Sequence, residues 1–199
     1  MACSTSTRVR FRWPGFLGAA AIVAVATSVV ACSSDSPATP RIFLTSTLGP
    51  GNESGVNDGT KCLVTGPWLA AGGKDQNNAV TPVNSGDNGV TVTCTVAPEG
   101  DGFKVSANIT QNGQGGLTVQ GHFTASGQQS HIRAVFARSD TGAFQEDDCT
   151  ADYAPNSLMG IAAGRVWGTL SCPHETNDES SPPHVCNGVA EFRFENCSQ

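Results

Sequence analysis

The segment of residues 172–186 contains the densest group of side chains that could bind a metal ion or transfer a proton. His174 and Glu175 begin like the HExxH zinc-binding helix, but Asp178 stands where the second histidine is required. Strand-like sequence flanks the segment, so a helix that carries two ligands one turn apart is not expected. We predict a solvated acidic loop over residues 174–184 and no metal ligand, the alternative being a divalent-metal site in this loop.

A second acidic run consists of the three consecutive carboxylates Glu146, Asp147 and Asp148. On an extended chain, consecutive side chains point to alternate sides, so three neighbours make a poor metal cage. The glycine and the distal glutamate of an EF-hand loop are also missing. The run therefore predicts a solvated turn.

His122 and His131 are the histidines closest to the regular part of the chain. His122 falls on the polar side of a predicted strand and His131 begins the next one, so we expect both to be exposed. Neither has a recognisable orienting partner, and the Gly-x-Ser-x-Gly elbow of hydrolases is absent from the sequence. The sequence predicts no catalytic residue, no enzyme activity and no cofactor.

Trp167 is the aromatic residue with the clearest functional interpretation. Simple strand alternation places its indole opposite Val166, Gly168 and Leu170, which predicts an exposed ring. Exposed aromatic rings can stack on sugars or anchor a partner, so Trp167 and His122 are the candidate ligand-facing residues. Alternatively, the two faces are swapped, or residues 154–164 cover the ring.

The elements that position these side chains are predicted to be β-strands. Alternation of apolar and polar residues recurs after Asn88, with intervals too short for helical crossovers. One apolar face for each strand predicts an all-β antiparallel β-sandwich built from a hairpin meander, with two sheets closing on a shared core. Only residues 154–164 suggest a helical turn. The alternating segments are residues 90–96, 103–109, 117–123, 132–136, 165–172 and 188–196.

The N-terminus has the plan of a signal peptide. Three arginines precede an uncharged apolar run from Phe16 to Ala31. The run ends in Val29-Val30-Ala31-Cys32, which resembles the lipobox of bacterial lipoproteins. The resemblance covers only about the first 32 residues. An uncleaved anchor and ordinary secretion are the alternatives.

The lipobox resemblance implies that residues 1–31 are removed and that Cys32 is acylated and becomes the N-terminus. Two or three acyl chains are enough for stable anchoring to a lipid bilayer without crossing it. The resemblance implies the bacterial cell envelope, and Ser33 after the cysteine implies the outer membrane if the cell is Gram-negative. Removal of residues 1–31 takes three arginines and no acid, so the net charge falls from -6 to -9.

Beyond the leader, composition divides the chain into two parts. Residues 32–60 are rich in Ser, Pro, Gly and Asn, which predicts a flexible tether, and residues 61–199 form the β-sandwich domain. The apolar patch Ile42–Leu44 interrupts the tether. It is interpreted as a transient contact, with a first edge strand as the alternative.

Six of the eight cysteines remain for disulfides once Cys3 and Cys32 are set aside. An even number in an exported chain predicts three structural bridges, for which 15 pairings exist. Our ranking places Cys172 with Cys186 first, across the base of one hairpin. Cys62 with Cys94 follows, and Cys149 with Cys197 remains by elimination.

These features predict where the protein resides more clearly than what it does. The acidic balance and the lack of a Lys/Arg cluster in the exported part argue against a nucleic-acid partner. We expect a structural or adhesive, non-enzymatic envelope lipoprotein that contacts an unidentified protein or polysaccharide. A carbohydrate-binding module is the alternative.

Overall fold

The structure is a computed structural model that describes residues 38–50, 61–155, 157–177, 179 and 181–199. Strands dominate this part of the chain, together with one 3-10 turn at Asp87–Gly89. The strands are β1 (Arg41–Gly49), β2 (Pro67–Ala71), β3 (Gly73–Lys74), β4 (Val80–Thr81), β5 (Val83–Asn84), β6 (Val90–Glu99), β7 (Gly102–Gln111), β8 (Gly115–Phe123), β9 (Gln129–Arg138), β10 (Gly142–Asp152), β11 (Gly160–Ala162), β12 (Arg165–Asn177) and β13 (His184–Glu195).

Alternation produces the central strands as the sequence predicted. In β6, Val90, Val92 and Val96 are buried while the threonines between them are exposed. β6 to β9 then follow one another as hairpins, each strand antiparallel to the next. Gly100 takes a φ of +61° between β6 and β7, a conformation that L side chains rarely adopt.

Most of the strands belong to one antiparallel sheet in the order β2-β1-β13-β12-β10-β9-β8-β7-β6, while β3 and β4 form a separate pair. The large sheet curls on itself into a nearly closed shape around the apolar core. The predicted fold class, all-β and antiparallel with paired cysteines, is confirmed. A single curled sheet, rather than two separate sheets, encloses the core.

The free edge of β6 is covered by the C-terminal residues. The Val96 amide donates a 2.8 Å hydrogen bond to the Ser198 carbonyl, and the Ser198 amide donates a 3.0 Å bond to the Cys94 carbonyl. The Gly164 amide also donates to the Val96 carbonyl. Strand β6 therefore has backbone partners on both sides.

Strand β1 corrects the predicted tether over residues 32–60. Residues Arg41–Gly49 pair with β13 on one side and with β2 on the other, so they are an internal strand of the sheet. Ile42, Phe43 and Leu44 are each at most 1 % exposed. The prediction of a flexible tether is therefore wrong for this strand. The described residues do not include the leader, Cys32, the rest of residues 32–37 or residues 51–60.

Two further predictions of local structure are wrong. The run Glu146–Asp148, expected to be a solvated turn, lies inside β10. The segment 154–164, expected to contain a helical turn, contains turns and the short strand β11, which pairs with β12. The described residues include no helix that is both apolar enough and long enough to cross a membrane.

All six cysteines expected in disulfides are paired, but with different partners. The bridges are Cys62–Cys186, Cys94–Cys197 and Cys149–Cys172, so each of the three ranked pairings is wrong. In the β12–β13 ladder Cys172 lies opposite Gly188 and Cys186 lies opposite Glu175, so the hairpin does not bring these two cysteines together. Cys172 instead meets Cys149 on the neighbouring strand β10.

Candidate buried carboxylate and cysteine site

The candidate site forms where two neighbouring strands are both irregular. The pairing of β10 with β9 shifts register between Glu146 and Cys149, and the pairing of β12 with β13 shifts between Cys172 and Glu175. In a regular strand, residues three positions apart face opposite sides. A bulge changes this and can bring both onto one side.

The bulges bring together four side chains, two from each strand. The order of the two residues is reversed between the strands, with Glu-x-x-Cys on β10 and Cys-x-x-Glu on β12. One sulfur or carboxylate oxygen from each residue lies within 4.8 Å of the other three. Cys149 and Cys172 form a disulfide, and the Cys149 sulfur lies 4.0 Å from Oε1 of Glu175. The four residues are Glu146, Cys149, Cys172 and Glu175.

Glu175 is the least expected member of this site. It is 0 % exposed, and its Oε2 atom has no hydrogen-bond partner among the residues that the structure describes. Burial, together with the charges of Glu146 and Asp147, raises the pKa of Glu175 to about 9. The carboxyl is therefore protonated at neutral pH. The prediction of a solvated loop over residues 174–184 is wrong for residues 174–177, which lie in β12, and for His184, which begins β13.

Glu146 connects the buried site to the surface. Its side chain is 9 % exposed, and its Oε2 atom accepts a 2.7 Å hydrogen bond from the backbone amide of His174. The His174 ring, which is 57 % exposed, has its Nδ1 atom 3.8 Å from the other carboxylate oxygen. Burial raises the pKa of Glu146, and His174 opposes that shift.

The two aspartates after Glu146 point away from the site. Asp147 forms a 2.6 Å ion pair with Arg133, and Asp148 approaches Nδ1 of His131 to 2.7 Å. Both aspartates are more than 70 % exposed. The predicted alternation of this acidic run is wrong, because the two neighbouring aspartates are both exposed while Glu146 turns inward, at a point where β10 is irregular.

Gly188 on β13 provides the space for Glu175. A Cβ atom at this position would lie 3.2 Å from Cγ of Glu175 and 2.9 Å from Cε2 of Phe136. Both distances are shorter than ordinary van der Waals contact, so only glycine fits without movement of the neighbours.

The structure does not bring the predicted ligand-facing residues together. His122 is exposed as expected, and its Nε2 atom lies 3.0 Å from the Glu99 carbonyl. Trp167 is only 7 % exposed, and the Arg193 guanidinium lies 4.7 Å from its ring centroid, so the prediction of an exposed indole is wrong. Strands β9 and β10 separate the strands that carry the two residues.

Trp68, on β2, is 4 % exposed. Its ring meets Phe136 and Phe144 edge-on, with centroids 6.5 and 6.1 Å away. The Arg138 guanidinium covers the ring at 4.5 Å. Trp68 therefore contributes to packing.

Sequence reasoning missed Glu146 and Glu175 as members of one site. The available signal was the mirrored spacing of a glutamate and a cysteine in two segments. No family model matches the chain, and neither a curated protein nor a solved structure matches it. What can be inferred about function therefore comes from the residues described above.

Proposed function

We propose that this chain is an exported, lipid-anchored protein of the bacterial cell envelope, with a structural or adhesive and non-enzymatic role. The observation that supports export is the pairing of all six cysteines beyond Cys32 in three disulfides. Such bridges persist in oxidising compartments and are rare in the cytosol. The lipobox resemblance of residues 29–32 supports the anchor.

The position of β1 implies that the anchor holds the domain close to the bilayer. Arg41 begins this strand, and it follows Cys32 by nine residues. An extended chain of this length spans at most about 30 Å. The domain is thus held near the headgroups, where an adhesive or structural partner would meet it.

The burial of the most strongly perturbed carboxyl supports a non-enzymatic role. Glu175 is 0 % exposed, so a substrate in solution does not reach it in the disulfide-bonded protein. A general acid or base must lie within hydrogen-bond reach of the reacting group. The partner is an unidentified protein or polysaccharide. Carbohydrate binding at Trp167 and His122 is not proposed, since Arg193 covers the indole.

The anchor is tested by replacing Cys32 with serine and labelling cells with a palmitate analogue. Cys32→Ser should abolish both labelling and cleavage of the leader, since only the thiol accepts the diacylglycerol. Cys3→Ser is the matched control and should label like the unaltered protein. A Cys32→Ser protein that is labelled and has the mature mass would contradict the proposed anchor.

A further inference from the structure

We propose that Glu146, Cys149, Cys172 and Glu175 form a zinc-type divalent metal site when the Cys149–Cys172 disulfide is reduced. The disulfide is then the metal-free, oxidised form of the same site. This inference rests on side chains inside the domain and does not depend on export or on acylation of Cys32.

The four donors match the chemistry of zinc. Zinc binds four ligands in a tetrahedron, through cysteine sulfur at about 2.3 Å and carboxylate oxygen at about 2.1 Å. These bond lengths separate neighbouring ligand atoms by roughly 3 to 4 Å. The four donor atoms here already lie within 4.8 Å of one another. Small side-chain movements therefore complete the site once the sulfur–sulfur bond is broken.

The buried carboxyl is the independent observation that points to a cation. Glu175 is 0 % exposed, and within the described part of the chain its Oε2 atom has no hydrogen-bond partner. A buried polar group without a partner destabilises the fold, whereas coordination by a cation would satisfy it. A disulfide alone needs only the two cysteines and gains nothing from a glutamate beside it.

Comparison with the other two bridges supports this assignment. Among the described residues, a group of three or more potential metal ligands occurs at the Cys149–Cys172 bridge. No such group occurs in this part of the chain around Cys62–Cys186 or Cys94–Cys197. The two-residue spacing of each Glu and Cys pair is also the spacing that zinc sites favour for ligands within one segment.

The chemical balance is simple. A dithiol reductant transfers two electrons and two protons to the disulfide, which becomes two thiols while the reductant becomes a disulfide. Metal binding then forms two metal–thiolate bonds and two metal–carboxylate bonds, and it releases to solvent the two thiol protons and the proton of the Glu175 carboxyl. Both sulfurs are 0 % exposed, so metal binding competes with disulfide formation mainly while the chain folds.

The test is to refold the full chain from its reduced, unfolded state, without oxygen, in a phosphine reductant and with cobalt as the zinc substitute. The expected result is one cobalt ion per chain, with thiolate-to-cobalt charge transfer and the visible bands of a tetrahedral site. Glu175→Gln and Glu146→Gln should each weaken binding by about tenfold or more.

The matched controls are two double variants that each remove one bridge. Replacing Cys149 and Cys172 by serine should abolish the cobalt spectrum, and replacing Cys62 and Cys186 by serine should preserve it. Equal spectra from the two variants would overturn the proposal, as would unchanged affinity in both glutamine variants or a refolded chain that binds no metal.

A second measurement decides the question if the reduced chain does not refold. Oxidative refolding with and without zinc is followed by mass mapping of the three bridges. Zinc should delay the Cys149–Cys172 bridge relative to Cys94–Cys197. Equal rates of the two bridges with and without zinc would overturn the proposal.

Discussion

The buried Glu175 carboxyl links one residue to the pH dependence of the whole fold. In the unfolded chain it titrates near its ordinary pKa of 4.5, whereas its folded pKa is about 9. Between these values the native state holds a proton that the unfolded state has lost. The free energy of unfolding therefore falls as the pH rises through this window, by about 1.4 kcal/mol per pH unit for this group.

Glu175→Gln should remove this contribution, because the amide does not titrate. Urea unfolding of the disulfide-bonded protein between pH 5 and pH 8 should show the unaltered protein losing stability with rising pH more steeply than the variant. Asp148→Asn, at an exposed carboxylate, is the control and should keep the steep slope. Parallel slopes for the unaltered protein and Glu175→Gln would show that the carboxyl is ionised in the native state.

Gly188→Ala should destabilise the domain by about 1–3 kcal/mol, because the added methyl group meets the Phe136 ring and the Glu175 side chain. Gly73→Ala is the matched control, since no atom of the described residues lies within 4 Å of a Cβ at this position. Urea midpoints of the two variants measure the difference. Equal midpoints would mean that the neighbours move apart without cost.

The elements differ in how much of them the sequence predicted. β6 to β9 were predictable because each has one buried and one exposed face, as Val92 and Thr93 illustrate. β1 was missed because Ile42, Phe43 and Leu44 are consecutive and all buried, so the period of two is absent. β10 was missed because three carboxylates interrupt its pattern at the bulge.

The candidate site was less predictable than the strands for the same reason. A bulge inverts the facing of the residues after it, and sequence alternation alone does not locate it. The disulfide partners were also beyond local reasoning, since Cys94 pairs with Cys197 across 103 positions. The even number of cysteines predicted that all of them form disulfides. Which cysteine pairs with which depends on the strand topology.

Ser46 fixes β1 to β2 at the register shift between these strands. Its Oγ atom donates a 2.9 Å hydrogen bond to the Leu69 carbonyl and accepts a 3.1 Å bond from the Leu69 amide. Ser46→Ala leaves both backbone groups buried without this partner and should cost about 1–3 kcal/mol. Hydrogen exchange at Leu69 should accelerate, whereas Thr45→Ala, at an exposed position, should leave it unchanged.

At the scale of the whole molecule, the sheet depends on its first strand. β1 covers the edge of β13, and its Ile42, Leu44 and Leu48 side chains belong to the apolar core. Without β1 the last strand would expose a row of unpaired amides and carbonyls, which favours aggregation. The domain therefore extends N-terminally beyond the predicted boundary at residue 61.

A chain of residues 38–199 should unfold cooperatively, while a chain of residues 61–199 should not, because only the first contains β1. Near-ultraviolet circular dichroism during heating distinguishes the two, since fixed packing of the aromatic core produces the signal. Both chains retain all six bridging cysteines, which controls for cross-linking. A cooperative transition in the shorter chain would show that β1 is dispensable.

The pairing of β1 with β13 also means that the sheet cannot form completely until the last strand of the chain is present. A chain that crosses a membrane from its N-terminus delivers its first strand early and the partner of that strand last, so the sheet stays open until translocation ends. Cysteines oxidised in order of emergence would join Cys62 to Cys94 and Cys186 to Cys197, and both pairs are non-native. If the chain is exported as proposed, its native pairing therefore calls for either delayed oxidation or an isomerase that exchanges these early bonds.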